Sequence, residues 1–413
     1  MASTFDLIAI LLVLTALFAW VNHVLIRLPH TIGLLLMGLA ASLVLIGIEI
    51  GLPQVSLHEN LTGLLRGIDF REAVLNGMLA FLLFAGALHV NLPTLRDRAW
   101  AVGLMATLGT LISTGVVGLG TWWVASLSGL GIPLPWALVF GALISPTDPV
   151  AVLSVLKSVR VPETLEADMA GESLFNDGVG VVVFTILLAV AAGGGEVGPA
   201  EVAELFFLEA LGGAALGLAT GWVAYQATRA IDNYPIETLI SLALVTGTYA
   251  LAARLHMSGP IAVVVAGILI GNRGPYDAMS DETQTHLFSF WTLVDEILNS
   301  LLFLLIGIEV LVIRFDLAFA GFAAASIPLV LLARFLAVSA PVLALRSRLR
   351  FVPGTIPVLT WGGLRGGISI ALVLALPDVA EKPALLAATY AVVVFTIVVQ
   401  GLSLRSVVAR SVR

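Results

Sequence analysis

The stretch "ISPTDPVAV" at 144–152 interrupts an apolar run, 136–158, long enough to cross a bilayer. Pro146 and Pro149 each lack a backbone donor, and each ring clashes with the turn before it, so a continuous helix is not expected there. Inside hydrocarbon every backbone polar group needs an internal partner, and broken backbone is tolerated only where protein surrounds it or it lines a cavity. Asp148 and Thr147 sit inside this break. A second interruption, "WGGLRGGIS" at 361–369, sets two glycine pairs around Arg365, each glycine weakening a helix by about 1 kcal/mol.

Around these breaks the chain is apolar almost throughout. Of its 413 residues 59% are hydrophobic and only 11% charged, which places it among polytopic membrane proteins. There is no cysteine, so disulfide and thiol chemistry are excluded, and the net charge of −7 comes without a basic run for nucleic acid. The N-terminus lacks the positive segment and cleavage site of a secretory signal and reads as a retained first span.

Apolar segments fall near 6–27, 31–50, 71–91, 99–126, 136–158, 167–192, 202–228, 237–255, 258–272, 290–313, 318–345, 355–376 and 384–408, giving thirteen expected spans in an all-α membrane protein. With the N-terminus outside, the inner loops and C-terminal tail hold thirteen Lys and Arg and the outer loops five, which favours a cytoplasmic C-terminus. Spans one to six and eight to thirteen then form two inverted six-helix sets joined by span seven. The fifth helix of each set is the interrupted one, and paired interruptions point to a transporter's midplane site.

A second stretch, "GESLFNDGVG" at 171–180 in span six, supplies the chemistry. Helical spacing stacks Glu172 on Asn176 and Ser173 on Asp177, forming one broad polar stripe. Carboxylate, hydroxyl and carbonyl oxygens suit a hard alkali cation, and no imidazole or thiolate is nearby to attract a transition metal. Span five adds Thr147 and Asp148, the latter also readable as the cap of a half-helix. Arg365 needs a partner at midplane; Glu172 is the expected one, with Asp148 or half-helix carbonyls as the alternative. Arg334 in span eleven is a second structural cation whose partner the sequence leaves open. Asp295 and Glu296 read as a solvated span end, Asn299 and Glu309 follow on the same span, and none of the histidines stands out as a pH sensor.

"SPTDPVAV", "GESLFNDGVGVVVF", "FLLFAGALHVNL" (81–92) and "LTWGGLRGGISIALVLALP" (359–377) together resemble the bacterial sodium/proton antiporters of the NhaP and NHE type, within the monovalent cation:proton antiporters, across essentially the whole chain. That resemblance implies an NhaA-like fold, with Asp177 alternately binding cation and proton. Na+ would sit at Asp177, Ser173 and Thr147, with Glu172 contributing indirectly, Asn176 and Asp148 locking the crossed half-helices, and Arg365 paired with Glu172. It also implies a homodimer, with a dimerisation scaffold at about 1–95 and 200–315 and a moving core at about 96–199 and 316–413. The C-terminal cytoplasmic extension of many relatives is missing, so regulation through such a tail is not expected.

The function expected is therefore secondary antiport of Na+, with Li+ or K+ as other cargoes, against H+, in pH homeostasis at a bacterial or archaeal inner membrane. No cofactor, enzymatic activity or nucleic-acid partner is expected; the partners are ions, lipid and a second copy. Because the neighbour of Asp177 is the amide Asn176, one titrating acid serves the cargo, and electroneutral exchange follows. A passive cation channel or a proton-coupled solute carrier is the alternative. An intramembrane aspartyl protease using Asp148 and Asp177 fits poorly, since neither acid has that class's flanking residues.

Overall fold

The computed structural model describes residues 4–51, 74, 77–148, 152, 161–193, 199–310 and 319–412. The second half of expected span five, with Pro149, and the start of span three lie outside the described residues. Among the described residues all regular structure is helical. α1 (Thr4–Val21) continues into a π-helical turn, and α2 (His30–Gly51) follows. Next come α3 (Leu79–Leu88), α4 (Leu92–Asp97), α5 (Ala99–Leu104), a π-helical Met105–Gly109 and α6 (Thr110–Leu127).

α7 (Leu134–Ile144) leads to α8 (Glu163–Ala192), α9 (Pro199–Arg229), α10 (Tyr234–Arg254), α11 (Gly259–Asp277) and α12 (Asp281–Glu309). The remaining helices are α13 (Ala320–Leu345), α14 (Thr355–Trp361), α15 (Gly367–Leu374), α16 (Lys382–Phe395) and α17 (Gly401–Ser411), the last two joined by a π-helical Thr396–Gln400. Nine helical segments among the described residues are long and apolar enough to cross a membrane, and α3 and α7 are shorter apolar helices.

Local sequence explains where the helices begin. Asn91, Asn233 and Ser258 each accept a hydrogen bond from an amide three residues on, and a proline occupies the first turn, where its missing N–H costs nothing. Ser280 caps α12 in the same way, with Asp281 and Glu282 in the first turn. Small residues then set how closely helices approach, because lipid gives apolar side chains no net reason to associate. α9 crosses α11 at Gly217, where a Cβ would land on the Ala262 carbonyl.

Two large apolar clusters result. One packs α6, α7, α13, α16 and the helices flanking both breaks, around Phe140, Val338, Leu359 and Val393. The other surrounds Trp291, whose ring meets Phe81 and Phe84 and whose Nε1 donates to Ser241 Oγ at 2.9 Å. α8 reaches both: Val179 and Val183 pack in the first and Leu174 in the second.

Candidate cation site

The two interruptions cross each other. Helix α7 stops at Ile144 and α14 at Trp361; the non-helical Ser145–Asp148 and Gly362–Gly366 meet where the Asp148 amide donates to the Leu364 carbonyl at 2.8 Å. Crossing extended segments leaves half-helix ends buried, and those ends carry partial charge. Arg365, 1% exposed, answers the carbonyl end of α7: its Nη1 donates to the Ser145 carbonyl and, at 2.9 Å, to that of Pro146. Asp148 answers the amide end of α15. Gly366 caps that helix, and a Cβ on it would land on Asp148 Oδ2, so the carboxylate lies directly over the half-helix N-terminus.

Glu172, 2% exposed, corrects one expectation: its carboxylate is engaged by Arg334 rather than Arg365. Arg334 donates Nη1 to Oε1 and, at 2.9 Å, Nη2 to Oε2, while its Nε and Nη2 also reach the Leu359 carbonyl near the end of α14 at 3.1 and 2.9 Å. A planar fork from α13 satisfies a carboxylate and a helix end together, a geometry that Arg provides and Lys does not. The need for a partner at midplane suggested Arg365 for this role, but Arg365 is held at the end of the other half-helix.

Asn176 spends both ends of its amide on Thr147. Its Nδ2 donates to Thr147 Oγ1 at 2.8 Å, and its Oδ1 accepts from the Thr147 amide at 3.3 Å. It therefore ties α8 to the first break. Thr147 Oγ1 also bonds Ser173 Oγ at 2.9 Å. A hydroxyl offers one donor and two lone pairs, so this bonded pair still has lone pairs for a cation. Asp177, 5% exposed, has an Oδ1 with no hydrogen-bond partner among the described residues and lies within electrostatic reach of Asp148 and Arg365. A close contact fixes this helix face: a Cβ on Gly180 would strike the Pro146 ring.

Several residues were not legible as part of this site. Thr396 and Gln400, in the π-helical turn of the last span, serve the second break: Thr396 Oγ1 accepts from the Arg365 amide at 3.1 Å, and Gln400 Nε2 donates to the Trp361 carbonyl at 3.1 Å. π-turns recur at functional sites, but sequence does not mark one. Arg98, counted among loop cations, is buried; its Nε donates to Asp168 Oδ1 at 2.8 Å and its guanidinium stacks on Phe351. Asp295 and Asn299 bond to each other within α12.

Comparison with known proteins agrees with this architecture. The profile of a family described as "Sodium/hydrogen exchanger, transmembrane" matches residues 10–410. The Na(+)/H(+) antiporter NhaP of Pseudomonas aeruginosa is 47% identical over 412 residues, covering 98% of this chain and 96% of that protein. The antiporter NhaH of Halobacillus aidingensis is 37% identical over 380 residues, 90% of this chain and 91% of that one. The solved structure of the sodium proton antiporter MjNhaP1 from Methanocaldococcus jannaschii shares the fold, with a TM-score of 0.74, 18% identity and coverage of 99% and 98% of the two chains. A full-length match of sequence, together with crossed half-helices around a buried carboxylate, makes the chain a member of the transmembrane sodium/hydrogen exchanger family.

Proposed function

We propose that this protein is a secondary antiporter exchanging a monovalent cation, sodium first, for protons, with both cargoes competing for Asp177. The observation that carries the reading is the buried Oδ1 of Asp177, unpartnered among the described residues, one helical turn from the Thr147–Ser173 hydroxyl pair. An ionised, empty acid is costly to move through an apolar barrier, whereas the same acid carrying a proton or a cation is neutral. Only the loaded forms cross, and competition for one acid becomes exchange. The family membership and the names of the relatives support the same chemistry.

Exchange is electroneutral in this reading. Glu172 is committed to Arg334 and Asp148 to the α15 end, so Asp177 alone titrates with the cargo. Thr147 and Ser173 complete the cation shell, and Asn176, Arg365 and Arg334 hold its geometry. The thirteen-span, N-out arrangement is supported by the Lys and Arg asymmetry. Division into a scaffold and a moving core draws support from part of the packing: α9, α10, α11, α3 and the first half of α12 gather around Trp291, and α6, α7, α13 and α16 around the breaks, where α2 and the second half of α12 join them. A homodimer in a bacterial inner membrane completes the picture, and a gradient-driven step calls for no cofactor.

Purified protein in liposomes, with internal pH followed as Na+, Li+ or K+ is added outside, tests this. Asp177→Asn should abolish cation-driven proton movement while leaving the protein folded. Sodium-dependent proton flux in that variant would remove Asp177 from the mechanism. Exchange by the unaltered protein should ignore an imposed membrane potential; stimulation by potential would overturn electroneutrality alone.

A further inference from the structure

A second carboxylate is left unused by this mechanism. Glu309 closes α12, where Leu302, Leu305, Ile306 and Glu309 share one face at helical spacing. Leu302 packs against Gly367 at the start of α15, and Leu302, Leu305 and Ile306 belong to the apolar cluster that holds Tyr390 of α16. This face is thus turned toward the helices that flank the second break, and Glu309 lies within electrostatic reach of Tyr390. Among the described residues its carboxylate forms no ion pair and the Tyr390 hydroxyl, on a side chain 2% exposed, has no hydrogen-bond partner. Unpaired polar groups in such surroundings are costly, and an ionisable one inside a membrane is a site by default.

Of the other charged groups on the elements around Glu309, Lys382 opens α16 about 12 Å of rise from Tyr390 and donates to the Leu376 carbonyl at 2.6 Å, and Glu49 stands near the end of α2. α15 carries none, and Arg365 before it is spent on the α7 carbonyls. His30 of α2 binds Ser300, nine residues or about 13 Å back along α12, and Glu237 of α10 binds Thr283 at the far end. Asp6 of α1 stands two turns beyond Leu14, which with Phe18 packs on the Leu304 and Ile308 pair. Inward, the route to the site is short: six residues of the last span, about 9 Å of rise, separate Tyr390 from Thr396, which binds the Arg365 amide. α15 adds Ser369, another buried hydroxyl with no partner among the described residues.

We propose that Glu309, with the Tyr390 hydroxyl, is a second protonation site that passes protons between Asp177 and the membrane face where α12 ends and α16 begins. A proton from water converts the Glu309 carboxylate to the acid. When the cation leaves Asp177, that proton moves inward, Asp177 becomes the acid and Glu309 returns to the carboxylate. Glu309 is then a positioning residue for the proton and not a ligand of the cation. It sets how fast exchange runs when protons are scarce.

The inference rests on exchange at Asp177, and the test separates the two. In liposomes, Glu309→Gln should slow exchange about tenfold at alkaline pH and recover toward the unaltered rate on acidification, with half-saturating sodium changed less than about twofold. Glu309→Asp should restore most of the alkaline rate, and Tyr390→Phe should show the same pH-dependent loss in smaller degree. Asp177→Asn, by contrast, should be inactive at every pH. A Glu309→Gln pH profile matching the unaltered protein would overturn the proposal. So would a rise in half-saturating sodium with an unchanged profile, which would make Glu309 a cation ligand. If Glu309→Gln fails to fold, an unchanged pH profile in both Glu309→Asp and Tyr390→Phe would overturn it equally.

Discussion

The two breaks solve one problem with opposite residues. Ser145–Asp148 interrupts its span with proline, which removes donors, whereas Gly362–Gly366 does so with glycine, which removes side chains. Each then borrows partners from the rest of its own half. Thr147 is held by Asn176 and Ser173 of the following span, and Ser145 Oγ meets Ser113 Oγ of the preceding one at 2.9 Å. In the other half Arg365 is held by Thr396 of the following span, and the Leu359 carbonyl is met by Arg334 of the preceding one. Across the crossing the halves exchange charge: Arg365 goes to the Ser145 and Pro146 carbonyls just after α7, and the Asp148 carboxylate lies beside Gly366 at the start of α15. The difference lies in the cargo. The proline break presents hydroxyls beside Asp177, while the glycine break presents a cation and close-packed backbone. In the proposed exchange one break therefore binds and the other compensates.

That contrast can be broken at graded cost. Arg334→Gln leaves Glu172 buried without its ion pair and removes two donors from the end of α14; a loss of about 3–5 kcal/mol is expected, read as a fall in thermal unfolding temperature of the purified protein. Adding Glu172→Gln should recover part of it, and no recovery would show that the helix end, not the carboxylate, is what Arg334 serves. Gly366→Ala tests the compensating break at its tightest point. The new methyl meets Asp148 Oδ2, and about 1–3 kcal/mol of overpacking should appear together with loss of transport. The smallest change, Thr396→Val, removes the acceptor of the Arg365 amide, for about 1 kcal/mol of stability, and should lower exchange without abolishing it. An unaltered exchange rate there would mean that the π-turn is dispensable to the second break.

Much of this was legible in the chain. Proline and glycine mark both breaks because they act on the backbone locally, whatever packs around them. Ser173 and Asp177 fall on one stripe because helical periodicity is a property of the sequence alone, and Thr147 joins them because the break must face an interior. The partners of the arginines were not legible. Arg334 and Arg365 both lie deep in their spans, and a residue's place along its own helix does not reveal which neighbouring helix it faces. Asp148 reads in sequence as a cap for its own half-helix, yet it lies at the N-terminus of α15, a segment more than two hundred residues away. Thr396 is one threonine in an apolar run, and only the π-turn gives it a role.

The sequence by itself determined a polytopic helical protein, its two interruptions, and a buried acid with hydroxyls at helical spacing, because hydropathy, backbone chemistry and periodicity are all local. Only the tertiary structure decided that the interruptions cross, that Arg334 takes Glu172, and that Arg365 and Asp148 each neutralise the other half's helix end. Those pairings depend on the azimuth and contact of helices distant in the chain, which short-range physics leaves free and packing fixes.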